Sequence, residues 1–159
     1  MHDSNIDVTL PKPALYAALS RELSGLIADE PDFIANLANA AALLFNSLPD
    51  VNWAGFYLLK EGELVVGPFQ GRPACVRIPL GKGVCGASAA ARQSILVDDV
   101  HEFAGHIACD SASNSEIVVP MIRNGELLGV LDVDSPKFSR FDADDRSGLE
   151  RFIAVLLQS

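Results

Sequence analysis

The stretch "SEIVVPMIRNGELLGVLDVD", residues 115–134, decides the fold. Two runs of β-branched and aliphatic residues flank Asn124-Gly125, a dipeptide that accepts the positive φ angles of a tight hairpin turn. The second run is apolar on both faces, with Leu127, Leu131 and Val133 on one and Leu128 and Val130 on the other. A strand that is apolar on both sides is covered on both sides. The hairpin therefore belongs to a sheet lying between two layers.

Upstream, "VNWAGFYLLK" (51–60) and "GELVVGPF" (62–69) read as strands joined at Glu61-Gly62, and "ACVRI" (74–78) as a short third strand. Such short connections make neighbouring strands antiparallel. "SILVDDV" (94–100) adds another strand before an irregular segment. Helical spacing marks Leu15, Leu19, Leu23 and Leu26/Ile27 in a first helix. Phe33, Leu37, Ala40/Ala41 and Leu44 mark a second, with Pro31 expected in its first turn. "GKGVCGASAAARQ" (81–93) reads as a glycine loop feeding a helix. The last helix begins at an Asp142 N-cap with Asp145 at its third position, and buries Leu149, Phe152 and Leu156. The expected fold is an α+β single domain with a mostly antiparallel central sheet of about six strands and helices on both faces. Residues 1–11 read as a flexible tail and 12–159 as the domain.

Composition bounds the function. A chain of 159 residues, 49% hydrophobic and 21% charged, suits one globular domain. The net charge of −9 argues against nucleic acid and anionic membrane as partners. The N-terminus lacks the basic and apolar regions of a signal peptide, and no run approaches a membrane span. A cytoplasmic location is the expectation. The three cysteines, Cys75, Cys85 and Cys109, form no C-x-x-C and no disulfide framework.

Gly81, Gly83 and Gly86 match G-x-G-x-x-G, but the strand before them is short and carries Arg77 and Pro79. The strands after them form a hairpin rather than a parallel crossover. A glycine turn bringing a helix N-terminus up to the sheet is the simpler reading. There Cys85 would lie in the first helical turn, where a thiol pKa falls. In "ACVRI", alternation puts Val76 and Ile78 on one face and Cys75 with Arg77 on the other, beside a cation that favours thiolate. Cys109 follows His106 by three residues, so a helical turn would put both on one side. Cys75, Cys85, Cys109 and His106 also count as four zinc ligands, at a spacing unlike any zinc ribbon or finger; no metal is expected. Arg72, Pro73 and Ala74 lie in a variable stretch and carry no weight. Trp53 and Tyr57, four apart on a strand, share a face as core or as an aromatic wall.

The acids carry more information. Asp132 and Asp134 share one face of an otherwise apolar strand, and Glu116 begins its neighbour. Buried carboxylates need partners, water or a ligand. Whether the three converge depends on register. With a two-residue turn and Arg123 opposite Glu126, Glu116 faces Val133 and turns away from the aspartates. With a three-residue loop, Ile122 pairs with Glu126, Glu116 pairs with Asp132, and all three acids share a face. Convergence of the three acids needs this second register, or a bulge with the same effect, and that is the expectation.

The segments "WAGFYLL", "ELVVGPFQGRPACVRIPLGKGVCG", "HIACDSASNSEIVVP" and "GVLDVDS" together resemble the free methionine-(R)-sulfoxide reductase family, built on the GAF domain. The resemblance spans about residues 28–135 and implies a GAF/PAS-like fold. It also implies reduction of free L-methionine (R)-S-oxide to methionine with no bound cofactor. Cys109 would be the nucleophile and be left as a sulfenic acid. Cys75, with Cys85 as the alternative, would resolve it to a disulfide that thioredoxin reduces. Glu116, Asp132 and Asp134 would supply a proton and hold the substrate ammonium, and Trp53 and Tyr57 would hold the methyl sulfoxide end. The partners implied are free methionine sulfoxide and thioredoxin, and a homodimer is left open. The competing reading is a non-catalytic GAF module that senses a small ligand or redox state.

Overall fold

A computed structural model of the chain describes residues 2–105 and 112–158. The elements run α1 (Lys12–Ile27), α2 (Phe33–Ser47), β1 (Trp53–Lys60), β2 (Glu63–Gly71), β3 (Arg77–Pro79), α3 (Gly83–Ala91), β4 (Ile95–Val97), a 3-10 turn (Val100–Glu102), β5 (Ser115–Arg123), β6 (Glu126–Ser135) and α4 (Ala143–Leu156). The six strands form one sheet in the order β3-β2-β1-β6-β5-β4. Every pairing is antiparallel.

The expected apolar stripes are buried. Leu19, Leu23, Leu37, Ala40, Ala41, Leu44, Leu149, Phe152 and Leu156 are fully enclosed, in one cluster with Phe56, Ile117, Leu131 and Val133 of the sheet. Ile6 and Leu10, ahead of α1, pack against that same cluster. So α1, α2 and α4 cover one face. The Asp142 side chain accepts from the Asp144 and Asp145 amides, and Asp145 answers through the Asp142 amide, which completes a capping box. The start of α2 differs from expectation. Asp32 is the N-cap and accepts from the Ala35 amide, so Pro31 lies outside the helix.

The buried Asp145 of α4 fastens α1 and the loop before α4, accepting from Tyr16 at 2.6 Å, Lys12 at 2.7 Å and Arg140 at 3.3 Å. Gly148 makes room for this junction, since a Cβ there would lie 2.2 Å from the Tyr16 ring. The opposite face carries α3 and a second cluster that includes Trp53, Tyr57, Cys85, Val118 and Val130. Among the described residues, no helix is long and apolar enough to cross a membrane.

Candidate active site

The site begins at the hairpin. The turn has two residues, with Arg123 opposite Glu126, and Asn124 and Gly125 both at positive φ (54° and 78°). The expected three-residue loop is therefore wrong. The dipeptide's own preference holds at the turn, and a bulge then corrects the register. Ile122 pairs with Leu127 but Met121 with Gly129, leaving Leu128 unmatched. Beyond the bulge Glu116 sits opposite Asp134, and Val118 opposite Asp132. The expected Glu116–Asp132 pair is displaced by two residues, so every side chain keeps its face. Gly129 allows the bulge, because a Cβ there would lie 2.1 Å from the Tyr57 carbonyl oxygen of β1.

The register with β1 extends this face. Trp53 pairs with Asp134, Gly55 with Asp132 and Tyr57 with Val130. Glu116, Asp132, Asp134, Trp53 and Tyr57 thus converge as expected, and all line one cavity of about 590 Å³, its open mouth included. Trp53 stacks on Tyr57 with ring centroids 5.9 Å apart. Phe69 of β2, unremarked in the sequence, also stacks on Trp53, at 5.1 Å. Gly55 leaves space for it, since a Cβ there would lie 2.2 Å from that of Phe69.

Arg72, Pro73 and Ala74, which carry no weight in the sequence, also line the cavity. Trp53 Nε1 donates to the Arg72 carbonyl at 3.0 Å, and the Tyr57 hydroxyl donates to the Cys75 carbonyl at 3.1 Å. Lys82, Gly83 and Val84 at the start of α3 form another part of the wall, and Ser113, which accepts from Asn52 Nδ2 at 3.3 Å, forms another. Only atomic contact identifies these residues, because none has a chemical signature in the sequence.

The cysteines depart from several expectations. Cys75 precedes β3 rather than standing on it. Val76, assigned to the face of Ile78, is exposed, whereas Cys75 packs partly buried against the second cluster. The neighbouring Arg77 pairs with Glu63 at 2.6 Å instead of serving the thiol. Cys75 is disulfide-bonded, which removes it as a zinc thiolate in this state. Cys85 is a free thiol in the first turn of α3, as placed, but its expected activation fails. It is buried with Sγ 3.9 Å from Glu116 Oε2. Burial first, then the charges of Asp132, Glu116 and Asp134, push its pKa well up, outweighing the helix N-terminus. Cys109 and His106 lie outside the described residues, and the role expected for Cys109 lies there with it.

The glycine motif follows the simpler reading. Gly81 and Gly83 take positive φ, and a Cβ on Gly86 would lie 2.5 Å from the Pro79 carbonyl oxygen. The glycines let α3 approach the sheet closely.

Electrostatics concentrate on Asp132. Burial, and then the charges of Asp134 and Glu116, raise its pKa well above the ordinary carboxylate value. Its Oδ1 is buried without a hydrogen-bond partner among the described residues. No ion pair reaches Glu116 or Asp132 among them either. Tyr57 is likewise pushed up, by burial and then by Asp132, so its phenol stays protonated. Cys85 Sγ and oxygens of Glu116 and Asp132 lie within 4.8 Å of one another, a donor set for a cation that would have to displace the thiol proton. The pocket suits a small ligand with an apolar body for the rings and a cationic or proton-accepting group for the acids.

A GAF domain family model matches residues 29–156. The chain is 54% identical over 145 residues to free methionine-R-sulfoxide reductase of Escherichia coli (strain K12), covering 91% of this chain and 88% of that protein. The crystal structure of a GAF protein from Burkholderia vietnamiensis, named as a candidate sensor, is 57% identical with a TM-score of 0.91, covering 94% of this chain and 95% of its own. Free methionine-R-sulfoxide reductase from Neisseria meningitidis, solved in complex with its substrate, is 42% identical with a TM-score of 0.94, covering 99% of this chain and 95% of its own. The chain belongs to the free methionine-(R)-sulfoxide reductase family of GAF-domain proteins.

Proposed function

We propose that this protein reduces free L-methionine (R)-S-oxide to L-methionine. The observation that carries the reading is the convergence of Glu116, Asp132 and Asp134 on a pocket walled by the stacked Trp53 and Tyr57 rings. Sulfoxide oxygen leaves poorly until protonated, and a carboxyl group with a raised pKa keeps a proton to give. Asp132 has that character, and the remaining acids suit the ammonium of a free amino acid. The rings suit the methyl sulfoxide end.

In this mechanism the Cys109 thiolate attacks the sulfoxide sulfur while an acid protonates the oxygen. The protonated oxygen then passes from the substrate sulfur to the Cys109 sulfur as the bond between the two sulfurs breaks, so methionine leaves reduced and Cys109, oxidised by the same two electrons, is left as a sulfenic acid. The thiol of Cys75 then attacks that sulfur. The S–O bond breaks, water departs, and a Cys75–Cys109 disulfide forms. A dithiol reductant, thioredoxin, returns both to thiols. The disulfide-bonded state of Cys75 beside the free Cys85 supports Cys75 as the resolving residue over Cys85. The buried neutral thiol of Cys85 supports the same choice, since thiolate is the reactive form. Replacement of Cys109 by serine should abolish methionine release even with excess dithiothreitol. Activity near wild type in Cys109→Ser would remove Cys109 as nucleophile.

A further inference from the structure

The segment 72–76, which carries Cys75, belongs to no helix or strand. Its backbone is held from the sheet. The Val66 amide donates to the Val76 carbonyl at 2.9 Å, Trp53 Nε1 to the Arg72 carbonyl at 3.0 Å, and the Tyr57 hydroxyl to the Cys75 carbonyl at 3.1 Å. The last two donors are the polar tips of the rings that wall the pocket. One pair of side chains therefore touches the cavity with its faces and the cysteine segment with its heads. Gly71 makes the crossing possible, since a Cβ there would lie 2.6 Å from Trp53 Cδ1.

We propose that Tyr57 is a positioning residue for the resolving step, its hydroxyl holding the backbone of Cys75 so that the Cys75 thiol meets the sulfenic acid. The inference rests on the proposed function, in which Cys75 resolves Cys109. It assigns Tyr57 a task separate from contact with substrate. Burial, and then the nearby carboxylates, hold the phenol proton, so the hydroxyl donates to the Cys75 carbonyl in this state. The step it serves forms one S–S bond and breaks one S–O bond. The Cys75 sulfur is oxidised, the sulfenic sulfur is reduced, and the hydroxyl leaves with the thiol proton as water. An attacking sulfur must approach in line, so an unanchored segment spends less time in the productive geometry.

Tyr57→Phe keeps the ring and removes the hydroxyl. After one turnover without reductant, the measurement is the partition of Cys109 between sulfenic acid, trapped by dimedone, and the Cys75–Cys109 disulfide. This partition is set after methionine has left, so it is independent of any change in substrate binding. The lifetime of the sulfenic acid should lengthen about tenfold, equivalent to about 1.4 kcal/mol on the barrier. Trp53→Phe, which removes the other ring tether, should shift the partition the same way and serves if Tyr57→Phe does not fold. An unchanged partition in a folded variant overturns the proposal. Cys75→Ser separates the two readings. Its sulfenic acid must persist whatever stands at 57, and absence of the dimedone adduct there defeats the proposed chemistry rather than the tether.

Discussion

Leu131 and Asp132 are neighbours on β6, both buried, and they face opposite layers. Leu131 looks toward α1, α2 and α4, among residues that are apolar almost throughout. Asp132 looks toward α3 and the pocket, among two further acids, a thiol and two aromatic rings. The helical face loses water and gains dispersion contacts, so it stabilises the fold. The pocket face loses water from charges, and repulsion between its acids opposes folding until a ligand or a proton relieves it. One sheet thus separates what holds the protein together from what it is arranged to do.

The largest expected effect tests the pocket face. Glu116→Gln and Asp134→Asn, which remove the acids assigned to the substrate ammonium, should each lower kcat/KM for the sulfoxide by roughly 10²–10³, the usual scale for a buried charge pair that loses one partner. Their melting temperatures should stay at or above wild type. A variant that loses activity only in proportion to lost folded protein would erase the distinction between the faces. The converse test lies on the helical face. Phe152→Ala, in α4 and fully enclosed, should cost about 3–5 kcal/mol of stability by denaturant titration. The rate per folded molecule should be retained, and a large loss there would show that the two layers are coupled.

The smallest effect concerns pH. The folded state holds the Asp132 proton more tightly than the unfolded chain does. The contribution of Asp132 to stability is therefore fully present below the ordinary carboxylate value of 3.8 and is lost as pH rises through the folded-state pKa. Asp132→Asn should be more stable than wild type at neutral pH, with the gap closing as pH falls toward 4. A gap that does not change with pH, measured by paired thermal melts, would mean that Asp132 is not the strained group.

The helical face was legible in the sequence because its signal is periodic. Leu19, Leu37, Leu44, Leu149 and Phe152 repeat at helical spacing and are buried as that spacing requires. The pocket face was only partly legible. Asp132 and Asp134 stand out as charges on an apolar strand, and alternation alone puts them on one face. Their convergence with Glu116 depends on the extra residue Leu128, and a bulge leaves no mark in the sequence beyond a glycine. The same limit explains the cysteines. Alternation through 74–78 presumed a strand that begins only at Arg77. Position in the first turn of α3 suggested an activated Cys85, but only the folded chain brings three acids and full burial against it. Phe69 and the 72–74 segment were invisible for a related reason, since they enter the site through contacts across the sheet.

The most direct test of the central claim is methionine release by the purified wild-type protein, with dithiothreitol, from the R and S epimers of free methionine sulfoxide and from a peptide containing the R epimer. The acids assigned to the substrate ammonium predict rapid release from the free sulfoxide and little from the peptide, and the proposed function adds a preference for the R epimer over the S. Equal release from both free epimers, or none from either, would contradict the account.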